Sequence, residues 1–133
     1  MHEPLNFDFE TLHGQRVTAI RGTRLEADEV GRSRCNELAL HLEDTVLLVS
    51  VNIDTDEVIV MTCADASSLT SANEWTEIEA LKEYVGYELG WSWIARNYLG
   101  YADTLMLSFS GIEPEIALCA VASTLWIYRL TRI

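Results

Sequence analysis

Glu37-Leu38-Ala39-Leu40-His41-Leu42-Glu43 is followed by Val46-Leu47-Leu48-Val49-Ser50-Val51-Asn52-Ile53, then Asp54-Thr55-Asp56, then Glu57-Val58-Ile59-Val60-Met61-Thr62-Cys63. Leu38, Leu40 and Leu42 alternate with Glu37, Ala39, His41 and Glu43. That is the period of a half-buried strand, and it sets His41 on the solvent side. Residues 46–53 and 58–63 are nearly all apolar and rich in β-branched side chains, which pack well on a pleated surface. Asp54-Thr55-Asp56 between them supplies turn chemistry, so the two runs read as a hairpin.

Working outward, residues 16–25 carry Val17, Ala19 and Ile20 in a strand-like run. Residues 87–95 set Leu89, Trp91, Trp93 and Ala95 on one face, and residues 103–110 alternate Leu105, Leu107 and Phe109. Two more strand-like runs, 115–122 and 124–131, flank Ser123. Helical signals are fewer. Residues 6–13 end at Gly14, a C-cap residue type. Ser71 with Glu74 has capping-box spacing, and Trp75, Ile78, Leu81 and Val85 follow at helical intervals up to Gly86. The expected fold is α+β, mainly antiparallel strands, in one domain spanning 1–133.

The halves also parallel each other. Glu10 to Val17 matches Lys82 to Leu89, Leu38-Leu40-Leu42 matches Leu105-Leu107-Phe109, and Thr55 to Val60 matches Ser123 to Tyr128. Two duplicated helix-plus-four-strand units, 8–63 and 76–131, would account for this, although two unrelated meanders share much of the same periodicity.

The formal net charge is −12, which opposes binding to a nucleic-acid backbone or an anionic membrane surface. The charge is local: residues 35–83 hold 11 acids against Lys82, and the flanking segments are each close to neutral. Apolar residues make up 49% of the chain, too many for disorder. Cys35, Cys63 and Cys119 fall in no CxxC spacing and read as buried apolar residues of a reduced, cytoplasmic protein. The first residues have no basic and apolar leader pattern, and no apolar run reaches membrane-spanning length.

No cofactor motif is present. His2, His13 and His41 have no metal-ligand spacing, and there is no nucleophile elbow, dinucleotide fingerprint or phosphate loop. Asp54, Asp56 and Glu57 are oxygen ligands of the kind hard cations favour, yet the tip lacks the further ligands and central Gly of a calcium loop. It reads as a turn, with a metal or cation contact as the functional alternative. The richest segment is 84–103, with Tyr84, Tyr87, Trp91, Trp93, Tyr98 and Tyr101, half of the 12 aromatic residues, beside Asn97, Gly100 and Asp103. It is either a core cluster or an aromatic binding surface; Trp and Tyr give large contact area at low entropy cost.

The pattern Gly86-x-x-Leu89-x-Trp91-x-Trp93-x-x-x-Asn97-x-x-Gly100-Tyr101-x-Asp103, with Leu105-x-Leu107-Ser108-Phe109 and Ala122-Ser123-Thr124-Leu125-Trp126, resembles small uncharacterised bacterial proteins, a domain of unknown function. The resemblance implies bacterial origin and brings no activity or active-site residues.

Three functions fit these features. The first is a non-enzymatic module that binds a basic protein, such as an immunity-type inhibitor, using Trp91, Trp93, Asn97, Tyr98, Tyr101, Asp103, Asp54, Asp56 and Glu57. The second is a structural homo-oligomer, such as a homodimer. The third is a small-ligand binder or enzyme built on Glu88, Asp103, Tyr98 and Tyr101.

Overall fold

A computed structural model of the protein describes residues 5–6, 8–69, 74–131 and 133. The first sheet holds β1 (Leu5–Asn6), β2 (Val17–Thr23), β5 (Glu37–Leu42), β6 (Val46–Asn52), β7 (Glu57–Cys63) and β8 (Trp75–Glu77), in the order β1-β7-β6-β5-β2-β8. The second holds β3 (Glu26–Ala27), β4 (Ser33–Cys35), β9 (Leu89–Arg96), β10 (Ala102–Phe109), β11 (Ile116–Val121) and β12 (Thr124–Arg129), in the order β3-β4-β12-β11-β10-β9. All pairings are antiparallel except β1 with β7. Both sheets turn their aliphatic faces into one core: Leu38, Leu40, Leu47, Val49, Val58 and Val60 from the first, and Leu105, Leu107, Phe109, Ile116, Leu118 and Leu125 from the second. Two sheets packed this way bury each other's apolar face.

The hairpin that opened the sequence is β6–β7, with Asn52 opposite Glu57 around the tip 53–56. Helix is scarcer than the sequence suggests, and the fold is more nearly all-β. The helix expected at 6–13 is one turn, α1 (Phe9–Leu12), capped by Asp8, whose carboxylate accepts from Glu10 N at 3.0 Å. The helix expected after Glu74 is strand β8 followed by a 3-10 helix over Glu79–Tyr84. The reason lies in the spacing. Ile78, Leu81 and Tyr84 are the buried side chains, at strict intervals of three, which is the period of a 3-10 helix. Ser71, the capping residue proposed there, lies outside the described residues.

The helix-plus-four-strand units are also corrected. β3 and β4 leave the first unit to join β12, and β8 leaves the second-half segment to pair with β2. The sheets are therefore not the units. The chain changes sheet at Asn36, whose N–H donates to Thr23 O at 2.9 Å, just after Cys35 enters the core. What the parallel stretches do share is a clasp around the bridge Arg16–Glu88. Gly14 N donates to Leu89 O, Leu89 N to Gln15 O, Val17 N to Tyr87 O and Gly86 N to Val17 O, each at 2.8 Å. Gly14 and Gly86 enter it at φ +86° and +100°, where a side chain would be strained.

Candidate binding face on the second sheet

Strand pairing defines the face of the second sheet that points away from the core. Trp93, Met106, Ala117 and Tyr128 form one row across β9–β12. Ala95, Thr104, Cys119, Trp126, Arg34 and Glu26 form the next. Trp91, at 51% exposure, extends the surface at one end, and Val121 and Tyr128 are similarly open. An apolar, aromatic sheet face of this kind is otherwise a place for covering structure.

The sequence placed Leu89, Trp91, Trp93 and Ala95 on one face, and the structure corrects this. The pairing of β9 with β10 shifts by one residue between Leu107 and Phe109, so Gly90 and Trp91 together oppose Ser108. A bulge reverses the alternation. Leu89 therefore points into the core, Ile94 packs against it from the other side of the bulge, and Trp93 turns outward. Ser108 holds the bulge: its hydroxyl accepts from Trp91 N at 2.7 Å and donates to Gly111 O at 2.7 Å. Gly90 is required here, because a Cβ would sit 2.4 Å from Gly111 O and 2.6 Å from Ser108 Oγ. The indole of Trp91 lies 6.0 Å from the ring of His13.

The other aromatic residues separate. Tyr84 is core, stacked on Phe109 at 4.4 Å, and burial raises its phenol pKa. Tyr98 is 95% exposed at the tip of the β9–β10 turn, and Tyr87 is exposed. Asn97 serves its own turn: its Oδ1 accepts from Leu99 N at 2.9 Å and Tyr101 N at 3.2 Å. Tyr101 is half-buried behind it. Asp103 sits at a second register shift and accepts from the Thr104 hydroxyl at 3.1 Å rather than from turn amides.

The carboxylates of the β6–β7 tip divide by role. Asp54 is exposed. Asp56, at φ +55°, accepts from Ser123 N at 2.7 Å across the sheets. Glu57 is not a surface carboxylate: it is 1% exposed, and its Oε2 accepts from Ala102 N at 3.1 Å. The acidic tip and the segment 101–103, treated separately in the sequence, therefore meet. Among the described residues no three His, Cys, Asp or Glu side chains are grouped to hold a metal ion, and no helix is long and apolar enough to cross a membrane.

Two further expectations change. His41 is 8% exposed, not on a solvent face, with Nε2 lacking a partner; burial, then the charge of Arg21, lowers its pKa. Of the cysteines only Cys35 is fully buried, with its thiol pushed up to about 12 by desolvation and then by Glu37; Cys63 and Cys119 are half-buried.

Two of the N-terminal arginines gather against Trp126. Arg34 lies across from Trp126 with its guanidinium 5.0 Å from the indole centre, and Arg32 lies at 5.8 Å. Arg32 pairs with Asp28 and Arg34 with Glu26. Hydrogen bonding from Arg32 N, foremost, holds the Asp28 carboxyl below its usual range. Only the pairing of β4 with β12, which no local pattern announces, brings these residues together.

Comparison with curated proteins and with solved structures gives no match. The model of a family of unknown function, DUF6334, matches residues 1–133, the whole length of the chain, and the protein belongs to that family.

Proposed function

We propose that the protein is a non-enzymatic binding module that docks a basic protein on the outer face of its second sheet. The observation that carries this reading is the outward row Trp93, Met106, Ala117 and Tyr128, continued by Trp91 and Trp126. Aromatic residues and Met are enriched at the centres of protein interfaces, where they form hot spots. The net charge of −12 supports a basic partner, because opposite charge speeds encounter and selects against other acidic proteins. Arg32 and Arg34 do not oppose such a partner, since each is paired with a carboxylate beside the face. The residues of the enzymatic alternative are dispersed. Glu88 and Asp103 stand at opposite ends of β9, roughly 25 Å apart along an eight-residue strand. Tyr98 projects into solvent.

Affinity capture from the host tests the reading when paired with two variants. Met106→Lys places a charge on the proposed face, and Met61→Lys does the same on the outer face of the first sheet. The expected result is a basic protein captured by wild type and Met61→Lys, lost with Met106→Lys, and released at about 1 M salt, where screening shortens to ~3 Å. Capture that ignores both salt and Met106→Lys overturns the proposal. A second copy of the chain as the captured species would favour the homo-oligomeric reading instead.

A further inference from the structure

We infer that the cavity where β4 and β12 meet the β11–β12 turn, at the edge of the protein-docking face with which it shares Trp126, binds a small phosphate monoester. Arg24, Glu26, Arg34, Asn36, Ala122 and Trp126 lie around a space of about 400 Å³. Arg34 is the central residue of this cavity. Its guanidinium is held in place over Trp126 at 5.0 Å, with Nε and Nη2 directed to one carboxylate oxygen of Glu26 at 3.2 and 2.7 Å. A guanidinium edge presented in this way is matched to an oxyanion.

Glu26 occupies the position a ligand oxyanion takes. It lies on a two-residue edge strand, and its side chain is 60% exposed. Exposed ion pairs are weak, so a ligand oxyanion displaces it readily. Arg24 adds a second positive charge, and Asn36 and Thr124 add an amide and a hydroxyl from the same rim. Two guanidinium groups on one rim suit the double charge of a phosphate monoester better than the single charge of a carboxylate. The space equals that of roughly a dozen waters, far more than a bare anion fills. Trp126 and Val121 give it an apolar wall, so the ligand carries an organic body.

Arg24 stands on the same cavity at φ +49°, in the left-handed region that disfavours side chains, while Ala122 at +51° and Ser123 at +63° form the two-residue turn between β11 and β12.

The test titrates the full chain with AMP, inorganic phosphate and adenosine, read by calorimetry and Trp emission. AMP is expected to saturate a single site, adenosine to give no binding, and inorganic phosphate to bind at least tenfold more weakly than AMP. Glu26→Gln, which removes the competing carboxylate without changing shape, is expected to tighten AMP about tenfold. Arg34→Gln is expected to weaken it by at least tenfold. Arg24→Gly relieves the strained backbone, so it is expected to raise the thermal midpoint while weakening AMP. No saturation by AMP at millimolar concentration overturns the inference. So does phosphate binding as tightly as AMP, or Glu26→Gln binding no tighter than wild type.

Discussion

The two sheets present different outer faces. On the first, the row Glu77, Arg21, Ala39, Leu48 and Met61 and the row Ala19, His41, Val46 and Cys63 point away from the core. Yet Ala39, Val46 and His41 are buried there, at 0%, 3% and 8% exposure. β7 and β8 run parallel, with β6, β5 and β2 between them. In the second sheet β9–β12 follow one another as a meander. Its outer side chains are larger and more aromatic, and Trp91, Val121 and Tyr128 remain open to solvent. The first sheet thus buries small side chains on its outer face, and the second leaves aromatic ones open to solvent.

The largest expected effect comes from cutting the junction that holds the two sheets in register. Glu57→Ala strands the Ala102 N–H in a buried site and removes packing, so it is expected to destabilise by about 2–4 kcal/mol in denaturant unfolding. Asp54→Ala, three residues earlier and exposed, is expected to change stability by less than about 0.5 kcal/mol. Equal effects of the two would mean the tip carboxylates are equivalent.

Next is the enclosed face. Ala39→Leu adds bulk where there is no exposed surface, at a cost of about 1–3 kcal/mol. If the variant is neutral, the outer face of the first sheet is not closed.

A smaller effect on the same face is pH dependence. The His41 pKa is lowered in the folded state by burial and then by Arg21. The unfolded chain therefore takes up the proton first as pH falls. Stability due to neutral His41 is complete above the ordinary histidine range, about 6.5, and declines below it, before most carboxylates titrate. Unfolding measured from pH 7.5 to 5 is expected to show this decline in wild type and a shallower one in His41→Leu. Matching slopes would remove His41 from the account.

The smallest effects belong to the open face. Trp91→Ser and Tyr98→Ser are expected to shift stability by less than about 0.5 kcal/mol, because neither side chain is enclosed. A loss of several kcal/mol in thermal or denaturant unfolding would make this surface part of the core.

Local periodicity made the hairpins legible. Val58 and Val60 face the core, and Leu105, Leu107 and Phe109 do likewise, because an alternating run with one apolar side has one satisfactory orientation. Features that depend on a single residue or on distant pairing were not legible. Gly90 reverses the phase of β9 through its contact with Ser108 and the backbone of Gly111, which no spacing rule contains. The buried positions Ile78, Leu81 and Tyr84 carried a three-residue period that resembles helical spacing over so short a stretch. Glu57 follows a turn and looks like surface; its partner, Ala102 N, lies 45 residues away. For the candidate site, Trp91 and Trp93 were visible as residues, but Met106, Trp126 and Tyr128 joined them only once β9–β12 were in register.

The central claim is that the aromatic face of the second sheet is open to solvent and to a partner. Acrylamide quenching of the native protein's tryptophan emission tests it most directly, since Trp91, Trp93 and Trp126 lie on that face and all three are at least partly exposed. The account predicts red-shifted emission that acrylamide quenches efficiently, and protection on adding the captured basic protein. Strongly blue-shifted emission that acrylamide leaves unquenched would contradict it.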